Sequence, residues 1–224
     1  MSSHSTHAEL VKRYRSTTLL AAALVVSALI TGTVLGRLSD RMLDRVGFAP
    51  LDLWELDVLR VFTSALVTHG GLVFAGAVIM TGLSVGWVER HAGSGWAMGT
   101  FWGVHVWTLL AMAIVVPVLE GGSAPSLGET LSTLRDVGPS AGYFGCLGFA
   151  LATIPRRPVR WLAAAAVMVW LLADLGGWLS VAGPLQLELS ADFAHLIAFP
   201  TGWALEFVAR ARPLDQHRPT ATEG

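Results

Sequence analysis

The sequence predicts an all-α membrane protein, a six-transmembrane helical bundle, on three observations. First, 53% of the 224 residues are apolar and 14% are charged, against roughly 25% charged in an ordinary soluble domain. Second, that apolar share is about 119 residues, close to the roughly 120 that six spans of about 20 residues require. Third, apolar runs alternate with short charged stretches along the whole chain. The same composition argues against a soluble enzyme and a disordered chain. A net charge of −1 lacks the basic surplus of a nucleic-acid-binding domain, so no nucleic acid is expected as partner. The single cysteine, Cys146, excludes a disulfide framework and a Cys-rich zinc site.

Residues 1–16 are polar and read as a cytoplasmic segment; 17–209 form the membrane domain, and 210–224 read as a disordered cytoplasmic tail. The first apolar run, Thr17 to Gly36, is too long for a secretory core and lacks a clear cleavage site, so it reads as a span. Residues 37–60 are too charged to cross. Further spans are expected at 61–88, 95–118, 138–154, 158–178 and 191–209. The second is long enough for its start, Val61–Gly70, to be a separate re-entrant or interfacial piece. Trp87, Trp96, Trp161 and Trp178 fall near proposed boundaries, as aromatic belts do.

With the N-terminus inside, the inner segments carry ten Lys and Arg residues and the outer loops five. The positive-inside bias therefore favours six spans with both ends cytoplasmic. One Lys against 14 Arg, with abundant alanine, suggests a high-GC bacterial genome and hence the bacterial plasma membrane.

Ionisable side chains within a span are costly and are functional candidates by default. Here they are His69, His105, Asp174, Asp192 and His195, with Ser140 opening the fourth span. The fourth and sixth spans both run inward from outside. Ser140 lies about two residues below the start of one and His195 about four below the start of the other, at similar depth given about 1.5 Å of rise per residue. They can meet only if their helices pack closely. Ala141, Gly142, Gly145 and Gly148 on one span, with Ala194, Ala198 and Gly202 on the other, permit such an approach.

Gly138-Pro139-Ser140-Ala141-Gly142-Tyr143-Phe144-Gly145 resembles the rhomboid motif G-x-S-G followed by an aromatic and a glycine. Ala194-His195-Leu196-Ile197-Ala198-Phe199-Pro200-Thr201-Gly202 resembles the final-span pattern A-H-x-x-G-x-x-x-G of the same family. Upstream, Arg60-Val61-Phe62-Thr63 looks like the family's Arg-x-x-Thr, and Gly86-Trp87-Val88-Glu89 with Gly93 looks like its Gly…Glu-x-x-x-Gly. The resemblance covers roughly residues 55–205. It implies a rhomboid fold and an intramembrane serine endopeptidase that cleaves a membrane-anchored protein near the outer face. Ser140 would be the nucleophile and His195 the general base, with Phe144 packed on the histidine. Gly138, Ala141, Gly142, Gly145, Ala198 and Gly202 would support them. Its partners would be a transmembrane substrate and the lipid bilayer, with no cofactor and no metal.

The sequence departs from the family at Val73 and Ala77, which stand where active members carry a histidine and an asparagine supporting the oxyanion. His69 falls one residue off the family's upstream histidine. A catalytically inactive rhomboid-like protein that binds transmembrane helices is therefore the alternative, and a small membrane transporter, motivated by His105 and Asp174, a second. Other roles stay open: Ser140 as a helix-start residue, His195 as a buried histidine satisfied by a carbonyl, Asp192 as a first-turn acid or as a group orienting His195, His105 as packing, and Asp174 as interfacial. His69, His91 and His105 lack the spacing and carboxylate company of a zinc site, which argues against a metalloprotease.

Overall fold

The computed structural model describes residues 12–122, 124–180 and 186–211, which are mostly helical. The described residues form eleven α-helices: α1 (Arg15–Thr31), α2 (Asp40–Val46), α3 (Pro50–Trp54), α4 (Leu59–Ser64), α5 (Leu72–Met80), α6 (Gly86–Ala92), α7 (Ser94–Glu120), α8 (Pro125–Thr133), α9 (Ser140–Ala152), α10 (Arg157–Ser180) and α11 (Gln186–Ala211). A π-turn, Thr81–Val85, joins α5 to α6, so the two run as one rod. No strand occurs among the described residues, only isolated bridges at Arg37–Gly70 and Phe48–Asp136.

Three helices are long and apolar enough to cross a membrane: Leu72–Ala92, Ser94–Glu120 and Arg157–Gly177. Arg15–Thr31 and Ser140–Ala152 are apolar but shorter. These lengths and compositions fit a membrane protein. The 26-residue α11 falls outside that set because Asp192, His195 and Glu206 interrupt its apolar run. Residues 1–11 and 212–224, most of the two expected cytoplasmic segments, lie outside the described residues, as does the Trp178 side chain.

The expected second span divides. Val61–Ser64 belongs to the short α4, and the long helix starts only at Leu72. Gly70 sets that boundary, with φ +93° and a backbone so close to Gly36 that a Cβ would overlap its carbonyl. The first helix likewise stops early, at Thr31, with Gly32 in the left-handed region closing it. Residues 33–38 then pair with 69–71 through Leu38 N–H to His69 O (3.1 Å) and Gly71 N–H to Thr33 O (3.1 Å).

At the centre lies α9. On one side Gly142 faces the Phe101 ring, 2.6 Å from where a Cβ would stand, and Gly145 faces Val104 at the same spacing. On the other, a Cβ on Gly148 would overlap the Phe199 carbonyl, and one on Gly202 would overlap the Gly145 carbonyl. Small residues thus let α7 and α11 close on both faces of one helix. Ala141, Phe144, Ala198, Phe199 and Trp203 form the core between them. A second core, of Leu20, Val85, Val88, Phe101, Cys146 and Phe149, joins α1, the α5–α6 rod and α7 to the far side of α9.

Buried polar groups pin the periphery. The Glu89 carboxylate accepts from Ser16 N–H and Thr17 N–H (2.9 Å each), Thr17 Oγ1 (2.7 Å) and Ser94 Oγ (2.5 Å). It therefore satisfies first-turn N–H groups of α1, which have no intrahelical acceptor. At the other end of the bundle the buried Asp52 caps α3 through Ala49 N–H (2.7 Å) and takes Arg135 Nη1 on both oxygens (2.7 and 2.6 Å). Arg60 donates to Asp57 (2.5 Å) and to the carbonyls of Asp44 (2.6 Å) and Gly47 (3.0 Å), while Thr63 Oγ1 donates to Val46 O (2.9 Å). The Arg-x-x-Thr residues thus tie α4 to the end of α2.

The glycine contacts and the Glu89 network each set a stability outcome. Gly202→Ala should destabilise by about 3 kcal/mol, at the top of the range for overpacking. Gly103→Ala, with nothing near its would-be Cβ, should be neutral or stabilising by about 1 kcal/mol through helix propensity. Thermal unfolding in a mild detergent reads both, and similar losses for the pair would contradict the close approach. Replacing Glu89 by Ala should cost about 3 kcal/mol or more, because several buried donors lose one acceptor. Glu89→Gln should cost less, since one carbonyl oxygen remains.

Candidate functional site

The segment leading into α9 is held from two sides. Phe48 and Asp136 exchange backbone hydrogen bonds (2.9 Å each), and Gly138 N–H donates to Ser64 O (2.8 Å). Pro139 then fixes the entry angle, and Ser140 is the first helical residue. The proline's missing N–H is no loss at a helix start. Ser140 is half-buried and lines a cleft of about 400 Å³, its open mouth included. The walls come from Phe48 and Pro50, from His105, Leu109 and Met112 of α7, from the 136–141 segment, and from Ser190 and Ala194 of α11.

His195 lies on α11, one residue beyond Ala194, with its side chain 13% exposed. Its ring stacks on Phe144, centroids 4.0 Å apart and planes inclined by 24°. Phe144 sits one helical turn beyond Ser140, so the stack anchors the imidazole to the helix that carries the serine. Nδ1 is 3.8 Å from Asp192 Oδ1, an electrostatic neighbour beyond hydrogen-bond range. Nε2 is buried and has no hydrogen-bond partner among the described residues. No hydrogen bond joins it to Ser140 Oγ. Because α11 begins at Gln186, Asp192 falls in its second turn, and the expectation of a first-turn acid held by the helix dipole does not apply.

The supporting residues occupy distinct places. Ala141 and Ala198 are buried in the core between α9 and α11. Gly142 and Gly145 make the α7 contact, Gly145 and Gly202 the α11 contact, and Gly138 takes up a φ of +154°, which would strain a residue with a Cβ, at the turn into α9. Val73 is exposed on α5 and Ala77 is buried; neither offers a donor. Asp174 is half-buried on α10 and is not among the residues lining the cleft.

His105 lines the cleft, and His69 reaches its wall through Asp136; the sequence marked both as ionisable but signalled neither one's partner. His69 Nε2 donates to Asp136 Oδ1 (2.9 Å), which also accepts Val137 N–H (2.7 Å). His69 was visible as an ionisable group, but its partner lies 67 positions away, and no local spacing signals that. His105 is buried at 2% exposure, and its Nε2 donates to Val61 O (2.9 Å). Among the described residues no three His, Cys, Asp or Glu side chains converge as a metal-binding group.

Chemically the arrangement offers a hydroxyl at a helix N-terminus that lines a partly polar cleft, and on the adjoining helix, next to the cleft-lining Ala194, an imidazole whose Nε2 has no hydrogen-bond partner among the described residues. No family model, curated protein or solved structure matches the chain.

Proposed function

We propose that this chain is a rhomboid-like intramembrane serine endopeptidase of the bacterial plasma membrane, with six spans, cytoplasmic termini and a Ser140–His195 dyad. One observation carries the reading: α9 starts at Ser140 beside an open cleft and packs, backbone against backbone, on the helix whose His195 ring stacks on Phe144. The two shorter apolar helices and α11 supply the three spans beyond the three of full length. A membrane-anchored protein is the substrate, cut near the outer face where the cleft opens.

In this mechanism Asp192, facing Nδ1, favours the tautomer with the proton on that nitrogen and leaves the Nε2 lone pair free. Nε2 takes the Ser140 hydroxyl proton as Oγ attacks the scissile carbonyl. The carbonyl oxygen, now negative, is met by first-turn N–H groups of α9, which lack intrahelical acceptors. Nε2–H next protonates the leaving amine, and the C–N bond breaks to give the Ser140 ester. Water, deprotonated by the same nitrogen, hydrolyses that ester and regenerates the hydroxyl. In the resting geometry the Oγ–Nε2 hydrogen bond is open, and it closes as substrate docks, as is common in free enzymes.

A second reading, a catalytically silent relative that binds transmembrane helices, is favoured by Val73 and Ala77. Loss of one oxyanion donor typically costs about 10²–10³ in rate, and neither side chain provides one.

An alkyl fluorophosphonate should label the wild type at Ser140 and leave Ser140→Ala unlabelled, with His195→Ala slowed at least about 100-fold. Absence of labelling in folded wild type would overturn the protease reading and select the helix-binding one. For orientation, a membrane-impermeant thiol reagent on intact cells should modify Glu55→Cys and spare Arg157→Cys, both positions being exposed on the protein. The native Cys146 is buried and adds little background. The reverse pattern would invert the topology.

A further inference from the structure

We propose that His105 reads the substrate residue seated beside Ser140 and selects a small side chain bearing a hydrogen-bond donor, such as the hydroxyl of threonine. The assignment deepens the protease reading and rests on Ser140 being the atom nearest the scissile bond.

His105 and Ser140 wall the same cleft. The Nε2–H of His105 is committed to Val61 O at 2.9 Å, so a neutral ring has only Nδ1 left, as an acceptor. That Nδ1 is buried and has no partner among the described residues. The other polar groups nearby do not supply the missing donor. The Ser64 hydroxyl donates to Val61 O (3.4 Å), and Asp136 Oδ1 takes its protons from His69 and Val137. Leu109 and Met112, one and two turns further along α7, make the adjoining wall apolar. A buried acceptor without a donor is an expensive state, and a ligand that brings an O–H or N–H relieves it. A site built this way discriminates strongly against an isostere that lacks the donor. Threonine and valine have nearly the same shape, so the pair isolates the hydrogen bond from size.

Two peptidyl diphenyl phosphonates test this, identical except for a threonine-like or valine-like side chain on the carbon bonded to phosphorus. Binding is measured calorimetrically on detergent-solubilised Ser140→Ala protein, where no bond to phosphorus forms; labelling rate is measured on wild type. The threonine-like compound should bind about tenfold tighter and label about tenfold faster. His105→Phe, which keeps a ring and removes both nitrogens, should bring each ratio near one. His105→Gln, whose amide can serve Val61 O and still offer a carbonyl oxygen, should keep most of the preference. Equal binding of the two compounds, or a preference that survives His105→Phe in folded protein, overturns the assignment to His105. A binding preference without any labelling leaves that assignment standing and removes the protease reading; labelling without preference does the reverse.

Discussion

The backbones of α9 and α11 touch where Gly145 and Gly148 meet Phe199, Gly202 and Trp203, and the positions of both site residues depend on that touch. Between helices in an apolar medium there is little hydrophobic gain to spend on association, so close van der Waals packing must supply it. Glycine does this by removing the Cβ atoms that would hold the axes apart. The consequence reaches one turn in each direction. Toward the start of α9 the pair of axes is fixed closely enough for the Phe144 ring to lie flat against His195. Toward its end, Arg160 and Arg210 both donate to the Ala152 carbonyl (3.2 and 3.0 Å). A helix of 13 residues is thereby clamped at its middle and at its C-terminus, while its N-terminus is held by the entering loop and by the packing of Ala141 and Gly142.

A chain this apolar can hold few buried charges, and three of them, Glu89, Asp52 and Glu206, sit at joints between elements distant in sequence. Glu89 gathers the start of α1 and the start of α7. Asp52 gathers α3 and Arg135, 83 positions apart. Glu206 pairs with Arg210 within α11, and the same guanidinium reaches α9. Each such carboxylate has hydrogen-bond partners to offset the loss of water, as burial of a charge requires. His105 Nδ1 and His195 Nε2, by contrast, are buried without a hydrogen-bond partner among the described residues, as are several threonine hydroxyls.

The long helices were legible because their signal is local: α7 and α10 are continuous apolar runs whose bounds lie within a few residues of the expected ones. The start of α9 was also legible, from Pro139 and the small residues that follow. The stretch from 37 to 71 was not. Its three short helices carry no sustained periodicity, and their positions follow from Asp52, Arg60 and Thr63 reaching partners that no spacing rule links. The pairing of the site's helices was readable in outline, since glycine and alanine at helical intervals announce a close neighbour. Which face of α9 meets α7 and which meets α11 was not, because both faces carry the same small residues. His69 and Asp136 show the limit most plainly: each is ordinary in its own neighbourhood, and only the fold of two separate loops makes them a pair.

The two ends of α9 are treated oppositely, and this asymmetry bears on chemistry at Ser140. A helix carries a partial positive charge at its N-terminus and a partial negative one at its C-terminus, each carried by unpaired backbone groups. At the C-terminus two guanidinium groups converge on the Ala152 carbonyl, so the negative end is neutralised by charge. At the N-terminus the preceding residues satisfy each other instead: Gly138 N–H goes to Ser64, and Asp136 goes to Phe48 and His69. No acidic side chain stands in the first turn of α9. The positive end therefore keeps its capacity to meet an anion, beside a cleft whose walls are partly apolar and whose one carboxylate among the described residues, Asp136, is engaged by His69 and Val137 N–H. Removing a carboxylate from that turn costs the helix a favourable dipole interaction of about 0.3–1 kcal/mol. A purely structural helix would gain by having one. On the protease reading proposed above, a serine and two small residues in that place would leave room for a transient negative charge.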